Sequence, residues 1–162
     1  MPITPFHFGP GAVLHAAAPR HISFLSFCAA NILIDIEPLY FMFTQQYPLH
    51  RSFHTYVGAT LVVGLTCAFF VFARKLAAFD PLPYWLQWLQ LRPAQVAFGA
   101  ATGSYSHIVL DSVMHGDITP LAPFSDANIL LGIVSLDVLH WSCAVAGLLA
   151  VIWIGVRRNF RE

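Results

Sequence analysis

The sequence predicts an all-α, polytopic membrane bundle: four spans plus a short N-terminal re-entrant or interfacial helix, forming one domain over residues 1–162. Three observations carry this. Hydrophobic residues make up 57% of the chain and charged ones 10%, against roughly 25% charged in an ordinary soluble domain, and the mean hydropathy is +0.66. Four apolar stretches approach the roughly 20 residues that a helix needs to cross a bilayer. Finally, the few ionisable residues inside those stretches recur at helical spacing, where a charge at bilayer depth is costly and usually functional.

The elements follow in order. Residues 10–18 are apolar but too short to span, hence the re-entrant or interfacial assignment. Residues 22–43 form the first span, interrupted by Asp35, Glu37 and Pro38, where the proline is expected to end or kink the helix. Residues 56–73 are the cleanest span. A connector, PLPYWLQWLQLRP at 81–93, carries tryptophan and tyrosine suited to headgroup level. Residues 94–114 are rich in small side chains, which favours close helix packing. The stretch 116–125 reads as a Pro-broken loop, with Ser125 or Asp126 placed to cap a short helix after it. Residues 138–156 form the last span.

A formal net charge of zero leaves no electrostatic footprint for nucleic acid. The three cysteines, Cys28, Cys67 and Cys143, lie far apart in apolar runs without a CxxC pair, and read as small hydrophobes. The N-terminus lacks the basic region of a cleavable signal, so the first span is expected to direct insertion. Arg74, Lys75 and Arg92, and then Arg157, Arg158 and Arg161, place the central connector and the C-terminus in the cytoplasm, in an inner or plasma membrane. The loop between the last two spans carries Asp117 and Asp126 but no lysine or arginine. This N-in, C-in topology brings Asp35, Glu37, His50, His54, His107, Asp111, His115, Asp137 and His140 to one leaflet. It predicts a polar site open to the non-cytoplasmic side.

SHIVLDSVMHGD, residues 106–117, is the strongest motif. Residues four apart share a helix face, so His107 and Asp111 can grip one ion, with His115 at the next turn or in the loop. Zinc accepts imidazole and carboxylate at about 2.0–2.2 Å and leaves a position for water in catalytic sites. The competing explanation is a packed histidine hydrogen-bonded to an aspartate. In LIDIEPLYF (33–41), two acids lie two residues apart, about 200° around a helix. Asp35 is the expected ligand; Glu37 is a supporting group, a ligand to a second metal, a general base, or a solvated interfacial acid. In PLHRSFHTYVG (48–58), His50 and His54 are four apart, and Arg51 beside them either holds an anionic group or snorkels to headgroup phosphates.

MPITPFH, LIDIEP, HRSFHT and SHIVLDSVMHGDITPLAPFS occur in an order that resembles the membrane-bound metal-dependent hydrolases, also described as LexA-binding, inner-membrane-associated hydrolases. The likeness covers about three quarters of the chain. It implies His7, Asp35, His54, His107 and Asp111 as metal-site residues and hydrolysis as the activity. This chain departs from the family in IDIEP for a PDID-like motif, making Glu37 the second acid, and in the spacing of His50 and His54, which leaves open which one is the ligand. His7 poses a conflict, because charge counting puts the N-terminus inside. Either the 10–18 segment threads into the bundle and carries His7 to the site, or His7 is no ligand, or the N-terminus lies outside.

The expected function is metal-assisted hydrolysis. Glu37 or His115 would serve as general acid/base and Arg51 would hold an anionic group. Zinc is favoured over magnesium because imidazoles would bind the ion directly, although another divalent first-row metal is compatible. Expected partners are membrane lipids and a lipid or small-molecule substrate, a phosphoester foremost. Two other classes compete: a metal or proton transporter, which needs polar groups continuing to the inner side, and a non-catalytic metal-binding scaffold, which needs a closed four-ligand site.

Overall fold

The computed structural model describes residues 5–79 and 88–159. Among them are five α-helices and no strand: α1 (Phe8–Ala17), α2 (Phe24–Phe43), α3 (Tyr56–Leu76), α4 (Pro93–Met114) and α5 (Leu136–Asn159). Local chemistry sets the starts. The Ser23 hydroxyl accepts from Ser26 N–H at 3.2 Å to cap α2. The Thr55 hydroxyl accepts from Gly58 N–H at 2.9 Å to cap α3. Pro93 opens α4, where a missing N–H costs nothing.

Successive helices run in alternating directions. α2 and α4 rise together to one end, where α3 and α5 begin. Thr60 on α3 meets Tyr105 on α4 at 2.7 Å, and Phe70 further along α3 meets Trp88 just before α4. α1 runs beside α5 in the same direction: Phe6 stacks on His140 at one end, and Arg157 donates to the Ala16 carbonyl at the other. Of the described arginines and lysines, Arg20, Arg74, Lys75, Arg92 and Arg157 therefore gather at one end of the bundle, and Arg51 lies at the other. The opposite end holds Asp35, Glu37, His50, His54, His107, Asp111 and His115.

Phe27, Ala30, Ile34, Ala59, Val62, Ala100 and Ile108, each at 0% exposure, form the core among α2, α3 and α4. α2 and α4 cross closely because Gly99 and Gly103 lie against the Ser23 and Phe27 carbonyls, where a Cβ would collide. Outward, large apolar side chains are bare, including Phe69 at 71%, Trp141 at 72% and Val151 at 67%. So much contiguous apolar surface is foreign to water-soluble monomers and fits a bilayer.

Three expectations need correction. Among the described residues three helices, not four, are both long and apolar enough to cross a membrane: Phe24–Phe43, Tyr56–Leu76 and Leu136–Arg157. α4, the expected third span, has 22 residues but is too polar, because the glycines, serines, His107 and Asp111 that suit it to the bundle interior lower its hydropathy. Pro38 does not end α2, which continues to Phe43. No short helix follows Ser125; its hydroxyl accepts from Ala127 N–H at 3.2 Å within a run of turns. Most of the 81–93 connector lies outside the described residues. α1, at 10 residues, is about 15 Å long and does not reach across the roughly 30 Å of hydrocarbon.

Candidate metal centre

Four elements converge at the end of the bundle where α2 and α4 finish. α2 supplies Asp35, the turn Ser52–His54 supplies His54, and α4 supplies His107 and Asp111 from one face. Donor atoms of these four residues all lie within 4.8 Å of one another. His107 Nε2 is 3.2 Å from Asp35 Oδ1 and 3.2 Å from Asp111 Oδ2. His54 Nε2 is 3.5 Å from Asp111 Oδ2 and 3.9 Å from Asp35 Oδ1. His7, immediately before α1, brings Nε2 to 3.1 Å from Asp111 Oδ1. The short helix lies beside α2 and α5 and brings His7 to the cluster, so the described start of the chain sits at the cluster end of the bundle.

The protonation pattern says what such a cluster can do. The Asn31 amide group donates to the Phe27 carbonyl at 2.9 Å, which turns Asn31 Oδ1 toward His107 Nδ1, also at 2.9 Å. That oxygen can only accept, so His107 carries a proton on Nδ1 and turns Nε2 toward the two carboxylates. No hydrogen bond forms at His107 Nε2, His54 Nε2, His7 Nε2, Asp35 Oδ1 or Asp111 Oδ1, although all are buried. Buried polar groups are normally satisfied, and leaving one unpaired costs about 1–3 kcal/mol. Donors held 2.0–2.1 Å from a tetrahedral ion are about 3.3 Å apart, which matches the spacing found here. Imidazole and carboxylate donors of this kind can hold a metal ion, and the buried Asp/His group fits one.

A second group lies alongside: His50, Asp111 and His115. His50 donates Nδ1–H to Asp117 Oδ1 at 2.9 Å, while Asp117 Oδ2 accepts from the Leu49 and His50 backbone N–H groups at 2.9 and 3.2 Å. Burial pushes the Asp117 carboxyl upward, but these bonds outweigh it and hold it below its ordinary value. Burial and then the neighbouring His54 lower His50, against the pull of Asp117. Burial likewise lowers His115, which stacks on His50 with ring centres 4.5 Å apart. Both imidazoles therefore favour the neutral, metal-binding form.

Glu37 sits on the far side of His54. Its Oε2 lies 3.7 Å from His54 Nδ1 and accepts from the Arg51 and Phe53 backbone N–H groups at 3.1 and 2.9 Å. With α2 unbroken at Pro38, the two-residue offset keeps Glu37 facing the turn while Asp35 faces the cluster. Arg51 donates Nε–H to the Pro48 carbonyl at 2.9 Å and lays its guanidinium 3.6 Å from the centre of the Phe41 ring. Among the described residues no carboxylate pairs with that side chain. Arg51, His50 and Asp117 line a cavity of about 570 Å³ whose other walls include Phe53, Val57 and Leu61. His140 packs on Phe6 and stays outside the cluster.

Sequence reasoning missed Asn31 and Asp117 as site residues. Asn31 had a signal, since it lies one turn before Asp35 on the same face of α2. Asp117 had none beyond its nearness to His115, because a loop carboxylate finds its partner only when the chain folds back. Among the described residues, fold and site together define an all-helical protein with three helices long and apolar enough to cross a membrane and a buried histidine–aspartate cluster suited to a metal ion. Comparison with family models, curated proteins and solved structures finds no match to this chain.

Proposed function

We propose that this chain is a membrane-embedded, zinc-dependent hydrolase acting on a lipid-like phosphoester. The observation that carries the reading is the buried convergence of His107, His54 and His7 nitrogens on Asp35 and Asp111 oxygens without a hydrogen bond at any of those nitrogens. A bound zinc or similar first-row ion supplies Lewis acidity there, bringing the pKa of water to about 7 and polarising the scissile bond. Asp35, His54, His107 and Asp111 would hold the ion, with His7 beside them against Asp111 Oδ1. Asn31 and Glu37 fix the orientation of His107 and His54, the kind of outer support whose loss typically costs 10–100-fold in metal affinity or activity. His115, neutral at the mouth of the site, takes the proton from the attacking water and returns it to the leaving alkoxide. Arg51 binds the phosphoryl group of a substrate whose apolar tail lies along Val57 and Leu61. The motif order that resembles the membrane-bound metal-dependent hydrolases points the same way.

The apolar core counts against a transporter. Phe27, Ala30, Val62 and Ala100, all at 0% exposure, pack beneath the cluster, where the buried polar side chains are the hydroxyls of Ser23, Ser26, Thr66 and Ser104 and, among the described residues, none is charged. The test uses protein purified in mild detergent and loaded with zinc. Release of phosphate or headgroup from lipid phosphoesters in mixed micelles should require the metal, and Arg51→Gln should raise KM while sparing kcat. Loaded protein that hydrolyses no phosphoester would overturn the reading.

The gathering of Arg20, Arg74, Lys75, Arg92 and Arg157 at the end opposite the cluster supports a site on the non-cytoplasmic side of an inner or plasma membrane. Single cysteines engineered at Ser52 and Thr119 should react with an impermeant thiol reagent from outside intact cells, and one at Leu76 should not. The reverse pattern would invert the orientation.

A further inference from the structure

We infer that the centre is built for two ions, with the Asp111 carboxylate shared between them; the inference rests on the metal-dependent reading above and deepens it. Seven residues direct donors into this end of the bundle: His7, Asp35, His50, His54, His107, Asp111 and His115. A tetrahedral zinc site takes four ligands, so one ion leaves a surplus. The donors also divide by geometry. Asp35, His54, His107 and Asp111 form one compact group, His50, Asp111 and His115 form another, and Asp111 belongs to both. Its two oxygens face different nitrogens: Oδ2 meets His54 and His107, whereas Oδ1 meets His7 and lies buried without a hydrogen bond.

The second group is prepared for a cation as carefully as the first. Asp117 can only accept, so His50 carries its proton on Nδ1 and keeps the Nε2 lone pair free. Asp117 stands to His50 as Asn31 stands to His107. The His115 ring has no hydrogen bond among the described residues and stacks on His50 at an interplanar angle of 28°. Its place is set by Asn128, whose amide donates to the Ser112 and His115 carbonyls at 2.9 and 3.3 Å and so closes the end of α4. Paired metal ions stabilise both the attacking and the leaving oxygen in phosphoester displacement, which is the substrate class proposed above; with the second ion bound, His115 would serve as its ligand in place of the proton carrier it is in a one-ion centre.

Two measurements test this. Elemental analysis after loading with excess zinc and desalting should find about two ions per chain in the unaltered protein and about one in His50→Ala/His115→Ala. In unaltered protein loaded with manganese, electron paramagnetic resonance should show exchange coupling through the shared carboxylate. One ion per chain, or two without coupling, would overturn the shared centre and leave a mononuclear hydrolase standing. No bound metal at all would remove both readings. Because the coupling is read on unaltered protein, a variant that fails to fold leaves the test intact.

Discussion

Asp111→Asn is expected to empty the centre of metal and bring hydrolysis to background while the helical bundle stays folded. Asp111 is the one residue whose carboxylate meets His7, His54 and His107, at 3.1, 3.5 and 3.2 Å, and it is common to both donor groups. Asparagine keeps the shape, so α4 packs as before, but it removes the negative charge and turns one oxygen into an N–H donor. The melting of each metal-free protein is therefore its own baseline. Added zinc separates the two. A ligand at 100 times its Kd stabilises a folded protein by about 2.7 kcal/mol; unaltered protein should gain that increment and the variant should gain none. Melting in detergent with and without zinc, beside elemental analysis, reads the difference. A variant that keeps its metal would show that Asp111 does not ligate.

Gly58→Ala should disable the site from outside it. Gly58 lies in the first turn of α3, and a Cβ there would collide with the Ser52 carbonyl and reach 2.8 Å from Phe53 Cα. Both atoms are backbone, so neither can swing away. Relief requires the turn Ser52–His54 to lift off α3, which withdraws His54 from Asp35 and Asp111 and strains the grip of Glu37 on the Arg51 and Phe53 N–H groups. Overpacking of this sort typically costs about 1–3 kcal/mol, and here it falls on a ligand. Gly64→Ala on the same helix is the control: nothing lies within 4 Å of its Cβ, and alanine in a helix interior is worth about 0.5–1 kcal/mol over glycine. The expected pattern is loss of zinc binding and a lower melting temperature for Gly58→Ala, against normal binding and equal or higher melting for Gly64→Ala. Normal zinc binding in Gly58→Ala would mean that His54 is not held by this contact.

Much of this molecule was legible in the sequence because it depends on periodicities within one helix. Apolar runs located α2, α3 and α5, and the four-residue spacing of His107 and Asp111 placed both on one face of α4. Composition likewise announced the apolar exterior. The span count failed where one signal had two readings: the small and polar residues of α4 were read as tight packing within a membrane span, yet they leave it too polar to qualify as one.

What only the tertiary structure decided are relations between elements distant in the chain. Glu37 turns to the 51–53 backbone because α2 continues through Pro38, so its offset from Asp35 is never relieved. Both His50 and His54 lie in donor groups that include Asp111, their ring centres 4.6 Å apart, where the sequence posed a choice between them. His7 arrives because Gly9 lets α1 pack against the Cys143 carbonyl of α5, a contact spanning most of the chain. Asn31 and Asp117 acquire meaning only through the imidazoles they orient. Spacing along one helix fixes which residues share a face, but the partner across that face is set by packing among elements, which no local pattern records.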